Sequence, residues 1–566
     1  MTGITISGGV MPDRVDLVIH NARILTMDPA RPRAEALAVA GNRLVAIGGE
    51  AEILALAGPG TRHIDAHGGT VLPGFNEAHM HIFGGSVSLT QLSLFGVKGF
   101  SALKEAVDAY AAQNPDLGLL VGLSADYTIL SDTEKVTRHH LDAILPDRPF
   151  LMFAPDRHTA WANTAALKAA GILEGRDVGV GNEIVMGADG LATGELKEAN
   201  AIDPVAEMGI TAGRDHLGIG TGGDPAHVTA EERASDLALI RRGLAYCAEL
   251  GITSVQAMDG NLYQLEILAE IERERGLPVR VRMPFHMKNF MPLGMIEEKG
   301  VAWRARFTGD RLRSDFVKVF ADGVTESGTA VMVDDYADQP DWKGEPLFTP
   351  EHFAQVAVEA DRLGLQVAVH AIGDGAVRLV LDGYEAARRA NGARDSRHRI
   401  EHIEVVNPAD IPRFAELGAV ASMQPTHPPG SAGLPLEPYL SRIGPARWPH
   451  AFAWRTLKDA GARIVFATDW PVSPLSPLSC IHDAMTRRPW REDMPDQRLS
   501  LQETLAAYTS EGAFVEFMED RKGVLKPGYL ADIVVLSGDI EAVAHGEIAA
   551  LRPLVTICDG VVTHQA

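Results

Sequence analysis

Two histidines one residue apart, His79 and His81, stand in the segment PGFNEAHMH directly after an apolar run. In extended backbone, side chains two apart leave the same face, so both imidazoles can reach one metal ion. A bare HxH is a weak signal, and alone it would be better explained by two surface loop histidines. Further ionisable residues recur inside or at the ends of apolar runs. Lys318 sits within DFVKVFADG, His370 closes LQVAVH, His402 lies in RIEHIEV and Asp469 closes RIVFATD. Each alone reads equally well as a satisfied core residue or a helix cap. For Lys318 the ordinary alternative is a lysine turned to solvent or to an acid, because lysine is almost never buried unpaired. Taken together the set has a chemical logic. Histidines suit a borderline divalent metal such as Zn²⁺. An aspartate can ligate that metal and then take a proton from its water, whose pKa the metal lowers to about 7. The same metal polarises a carbonyl, and hydrolysis of an amide or related C–N bond needs both effects.

These residues act together only if the elements bearing them converge. Eight apolar runs read as strands: Thr70–Phe75, Ile252–Gln256, Val279–Phe285, Phe316–Phe320, Gln366–His370, Arg399–Val405, Ala419–Gln424 and Arg463–Thr468. Amphipathic stretches such as Pro350–Leu363 and Pro408–Leu417 follow most of them. Val- and Ile-rich strands alternating with helices imply a parallel sheet. Eight of them predict an α/β fold, a closed (β/α)₈ TIM barrel whose strand ends meet on one face. An open doubly wound sheet fits less well, since no Gly-rich phosphate loop follows the first strand. Residues from about 84 to 230 are too many for one crossover helix and read as an insertion over the site. Short β segments at both chain ends (Val15–Ile19, Ala36–Ala40 and Leu44–Ile47; Asp532–Leu536 and Leu554–Val562) suggest a composite β-sandwich. The expected division is therefore 1–69 and 516–566 for the sandwich and 70–515 for the barrel.

Composition removes several function classes. The 566-residue chain is 46% hydrophobic, enough for a large core. It carries 52 Lys and Arg against 75 Asp and Glu, a formal charge of −23. That charge repels phosphate backbones, so nucleic acid is not expected as a partner. Three scattered cysteines make no disulfide framework and fit a reducing, cytoplasmic setting. No secretory leader or run of about 18 apolar residues is visible, so no membrane partner is expected.

The motifs that carry these residues resemble the amidohydrolase superfamily, specifically the amidohydrolase 3 branch that includes N-substituted formamide deformylase. PGFNEAHMH is similar to its first-strand HxH motif, KVFADG to the fourth-strand lysine motif and VAVHAIGDGAV to the fifth. RHRIEHIEVV resembles the sixth, ASMQPTH the seventh and FATDWPVSPLSPL the eighth, while GVLKPGYLADIVVL resembles the return to the sandwich. The resemblance implies that His79 and His81 bind the more buried metal and that His370 and His402 bind the more exposed one. It implies that Lys318 is the position often carboxylated to a bridging carbamate, and that Asp469 is ligand and general base. Glu77 stands where the family usually has Asp, and Thr468 where it usually has Ser.

The expected substrate is a small-molecule amide, an N-acyl or N-formyl amine. A cyclic amidohydrolase, a deaminase of the same superfamily and a non-catalytic regulatory homologue are the rival readings. Lys318 speaks against the deaminase. His158, in RHTAWANTAAL, with Trp470, His427 and Gln424, are the expected substrate contacts; His427 reads equally well as a loop histidine. Phe83 and Trp161 are further candidates for an apolar wall, against a default of core packing. Asp374 is expected to cap a helix, and Asp322 to support Lys318 or shape a turn. Glu401 is expected to point away from His402 and to be structural. A homodimer is one assembly considered.

Overall fold

The structure is a computed structural model that describes residues 5–6, 14–131, 133–155, 157–179, 181–431 and 435–566. The start of the expected 1–69 segment (residues 1–4 and 7–13) lies outside the described residues. Eight parallel strand segments carry the centre of the molecule: β1 Phe75–Met80, β2 Ile252–Ala257, β3 Arg280–Arg282 with Phe285–His286, β4 Phe316–Phe320, β5 Gln366–Ala371, β6 Arg399–His402, β7 Val420–Met423 and β8 Arg463–Phe466. They pair in chain order. Their sides are almost wholly buried, which is why they read as continuous apolar runs.

The expected single closed ladder is corrected to two sheets. One has four strands and holds β1, β2 and the first half of β3, with Leu312–Arg313 at its edge. The other has six and runs from Phe285–His286 to β8. The split falls at Pro284, which has no N–H to give to the ladder. Backbone hydrogen bonds nevertheless run on both sides of it, from Met283 N to Arg313 O at 2.9 Å and from Met287 N to Lys318 O at 2.9 Å. At the other end of the series, Asp469 N donates to His79 O at 3.0 Å and His81 N to Trp470 O at 2.7 Å. These bonds join the chain just beyond β8 to β1.

A second correction concerns Thr70–Phe75. Thr70–Pro73 pairs with Ile533–Leu536 and with Arg23–Leu25 in an outer sheet, and the first parallel strand begins at Phe75. Gly74 makes the transfer where the backbone crosses Thr253, and a Cβ there would lie 2.2 Å from the Thr253 methyl. The outer six-stranded sheet runs Val561–Gln565, Pro553–Cys558, Ile533–Leu536, Thr70–Pro73, Arg23–Leu25, Arg33–Ala34. A five-stranded sheet of N-terminal segments packs near it, and both contribute to one buried cluster that includes Ile19, Leu37, Ile47, Val71, Ile533 and Ile557.

Within residues 84–230 lies a further six-stranded sheet, from Leu92–Ser93 to Glu183–Met186. Alternate residues of its strands feed two separate cores: Leu120, Phe150 and Met152 on one side, Val121, Leu151 and Phe153 on the other. No described helix is long and apolar enough to cross a membrane.

Candidate metal centre

The two histidines of β1 are each held from behind by a buried carboxylate. His79 Nδ1 lies 2.7 Å from Glu401 Oε2, and His81 Nδ1 lies 3.0 Å from Asp259 Oδ1. A carboxylate only accepts, so each Nδ1 donates to its own acid, and each Nε2 is the nitrogen that can give up its proton and offer a lone pair to a cation. Both Nε2 atoms face one oxygen: Asp469 Oδ1 is 3.3 Å from His79 Nε2 and 3.2 Å from His81 Nε2. Two imidazole nitrogens and a carboxylate oxygen are a donor set for a borderline divalent cation. Burial opposes ionisation of Asp469, but His79, His81 and His402 more than offset it and hold the carboxyl well below its usual range. For His81 burial acts downward, and the hydrogen bonds to Asp259 and Asp469 prevail, raising it to about 9.

Glu401 was expected to be structural; the structure instead places it against His79. The reason is local. Arg399 and Glu401 lie two apart on β6 and face inward together, with Arg399 Nη2 2.9 Å from Glu401 Oε2 and 2.8 Å from Ser422 Oγ. Strict alternation would then turn His402 outward. His402 has φ +75° and Ile403 φ +50°, so the strand ends in left-handed backbone and His402 also reaches the site. Asp469 sits at φ +60°. Such geometry costs free energy in non-glycine residues and concentrates at functional positions.

His402 Nδ1 lies 3.0 Å from Gln424 Oε1 and 3.9 Å from Asp469 Oδ2. His427 stacks on it, ring centroids 6.2 Å apart. His370 packs its ring 4.6 Å from that of His402, while its Nε2 is 3.0 Å from Gly323 O. Burial, with Lys318 adding, pushes His370 down to about 3. Lys318 is fully buried, its Nζ makes no hydrogen bond among the described residues, and it lies 5.0 Å from the Phe320 ring centre. Burial lowers its amine to about 8.

The remaining expected residues divide. Trp470 is buried against Gly85 and Tyr246, where a Cβ on Gly85 would lie 2.3 Å from the indole, so the ring is held in packing. Phe83 is buried, its N–H donating to Asp259 Oδ2 at 2.9 Å, and Trp161 packs on Tyr127 inside the insertion. His158 pairs with Glu198 Oε2 at 2.8 Å. Asp374 is corrected: Gly373 is the N-cap, and Asp374 Oδ1 accepts from Val333 N at 2.9 Å. Asp322 accepts from Val331, Ile372 and Gly373 N–H groups and staples the loop after β5 rather than contacting Lys318. Glu77 accepts from Thr468 Oγ1 at 2.9 Å, so the two departures from the family motif contact one another. Burial lifts Glu77 to about 8.

Sequence reasoning missed Asp259, Arg399 and His286. His286 Nε2 lies 2.7 Å from Met258 O and its ring stacks on Phe320. Asp259, in QAMDG directly after β2, carried the one available signal: an acid at a strand end.

The amidohydrolase family model matches residues 62–564. The chain is 30% identical to the protein LONG AFTER FAR-RED 3 of Arabidopsis thaliana, over 92% of this chain and 87% of that one. It is 27% identical to the N-substituted formamide deformylase of Arthrobacter pascens, over 97% and 98%. An uncharacterised metal-dependent hydrolase of Pyrococcus horikoshii OT3 shares the fold, with a TM-score of 0.71, 24% identity and coverage of 94% and 99%. The matched segment takes in every residue placed around Asp469, and the chain belongs to the amidohydrolase family.

Proposed function

We propose that this chain is a metal-dependent hydrolase that cleaves a non-peptide carbon–nitrogen bond, in an N-acyl or N-formyl amine. The observation that carries the reading is the pair of Nε2 atoms on Asp469 Oδ1, each imidazole oriented by its own carboxylate. Family membership supports hydrolysis, and the likeness to the Arthrobacter pascens deformylase supports the N-formyl class. We read the two parallel sheets as the halves of one (β/α)₈ barrel, with its strand ends facing the insertion. The outer sheets are read as a sandwich shared by both chain ends.

His79, His81 and Asp469 would hold the ion, and the imidazole-rich set favours zinc. Held there, a divalent cation acidifies water and polarises an acyl carbonyl. Asp469 stays ionised beside the histidines, so its carboxylate is ready to accept a proton and deliver it to the departing amine nitrogen. Glu401 and Asp259 keep both Nε2 atoms aimed at the same point. Lys318, lowered to about 8, has an appreciable neutral-amine fraction near physiological pH, and that fraction can add carbon dioxide, releasing a proton and becoming an anionic carbamate. The net charge of −23 disfavours nucleic acid, and we take a small-molecule amide as the substrate and the cytoplasm as its setting.

The test is metal content of chelator-free protein, measured by mass spectrometry, beside amine release from a panel of N-formyl and N-acyl amines. We expect at least one zinc per chain, and loss of release by about 10³-fold or more in Asp469→Asn, the scale of a lost general base with a lost ligand. His79→Ala should lose both metal and activity. A folded protein that takes up no divalent cation after supplementation sinks the proposal.

A further inference from the structure

β3 and β4 pair with His286 opposite Lys318. Side chains two apart leave the same side of an extended chain, so Lys288 follows His286 and Phe320 follows Lys318, one step nearer the strand ends. The four groups around Phe320 meet on its ring. The ring centre lies 5.1 Å from Lys288 Nζ, 5.0 Å from Lys318 Nζ, 4.7 Å from the His370 ring and 5.7 Å from the His286 ring. Lys288 is therefore one aromatic ring away from His370, beside the metal centre.

Lys288 is half-buried, and its Nζ donates to Ile219 O in the short helix Leu217–Thr221 of the insertion. That helix rests on the ends of β2 and β3. A Cβ on Gly218 would lie 2.6 Å from Asp259 O, and one on Gly222 would lie 2.9 Å from His286 O. A carbonyl can tie an ammonium in place, but it does not neutralise it. Among the described residues no carboxylate stands within ion-pair distance of Lys288, and the charge that acts on it is another cation, Lys318. Burial, with Lys318 adding, lowers the Lys288 amine to about 7. Lysine is seldom withdrawn from water without an acid, and a chain with 75 Asp and Glu places none here.

We infer that Lys288 receives a carboxylate carried by the substrate, on the part of the molecule away from the bond that is cleaved. The inference rests on the hydrolase reading above and narrows its substrate to an N-acyl or N-formyl amine that also bears a carboxylate. One ammonium matches one negative charge, and the net charge of −23 disfavours a polyanion such as a phosphate ester.

The experiment uses the zinc-loaded full chain and a pair of amides that differ only by the anion. Formate release is followed from N-formylphenylalanine, as both enantiomers, and from N-formyl-2-phenylethylamine. The parent should favour the carboxylated amide. Lys288→Met should cut that preference about 10–100-fold, chiefly through KM, the scale of a lost hydrogen bond to a charged group. Lys288→Arg keeps a cation and should retain most of the preference. Calorimetric titration with 3-phenylpropanoate, which has the anion and no amide, reads the site without turnover, and its binding should weaken by the same factor in Lys288→Met. A lysine that only ties the insertion to β3 would lower both amides together and leave 3-phenylpropanoate binding at the parent's strength, which overturns the inference. A parent that favours the neutral amide overturns it too, with the hydrolase reading left standing. If neither amide turns over, the N-formyl reading fails and the calorimetry decides alone: binding that depends on Lys288 upholds the carboxylate site, and binding that does not, or none, overturns it.

Discussion

At the scale of the residue, the site is a set of imidazoles whose orientation is set by groups behind them. Glu401 is the most informative, because it touches His79 and is itself gripped by Arg399. Burial alone would raise its carboxyl, yet Arg399 and His79 hold it well below its usual range. Replacing Glu401 with Gln keeps the volume but removes the charge that pins the Nδ1 proton. We expect metal affinity to fall about 10–100-fold, the usual effect of an outer partner of a metal-binding histidine, measured by competition with a chromogenic chelator. Unchanged affinity would show that packing alone orients His79. The HxH pair, Lys318, His370, His402 and Asp469 stood out in sequence because each lies within, at the end of or just after an apolar run. Glu401 was not, since its role depends on a positive φ at His402 that period-two reasoning cannot anticipate. Trp470 misled for the opposite reason: adjacency to Asp469 in sequence does not make it adjacent in direction, and Gly85 leaves room for the ring to pack inward.

At the scale of the element, strand identity was legible for seven of the eight parallel segments; the first was read one strand too early, and boundaries were less legible. Thr70–Phe75 holds an outer-sheet strand and only the first residue of β1, and only Gly74 marked the seam. Val279–Phe285 was one run that Pro284 divides. The long-range joints could not be read at all. Arg280, at the start of β3, donates Nε to Asp532 Oδ2 and Nη2 to Asp559 Oδ1, both at 2.7 Å, tying the centre to the C-terminal hairpin. Arg280 and Asp532 are almost wholly buried. Arg280→Ala would leave buried Asp532 without its cation, while Asp559 keeps Arg311 at 3.1 Å, and breaking a buried pair in this way costs about 3–5 kcal/mol. Urea denaturation should show that loss; a change below 1 kcal/mol would mean water readily replaces the guanidinium.

At the scale of the whole molecule, acid should loosen the C-terminal segment from the centre. Glu516 pairs with Lys522, and with Arg313 at 2.8 Å. Burial would raise its carboxyl, but Lys522 and Arg313 prevail and lower it from 4.5 to about 2. A carboxyl depressed on folding adds stability that is complete above the unfolded value and is lost as pH falls toward the folded one. The melting temperature should therefore fall between about pH 4.5 and 2, and Glu516→Gln should flatten that part of the profile while lowering the plateau at neutral pH. An unaltered slope in the variant would assign the acid sensitivity to other carboxylates.

The outer sheet sets the order in which the chain can be finished. Pro73 pairs with Ile533, and Val71 with Val535, so this strand waits for partners that lie far later in the chain. Until those partners emerge from the ribosome, Thr70–Pro73 has only Arg23–Leu25 on one side and an open apolar edge on the other, beside the strand that leads to the first histidines. Contacts so distant along the chain slow folding and expose nascent protein to aggregation. Metal-ready geometry at His79 and His81 is thus a late event in biosynthesis, and nascent chains stalled before Ile533 should be clients of chaperones and proteases.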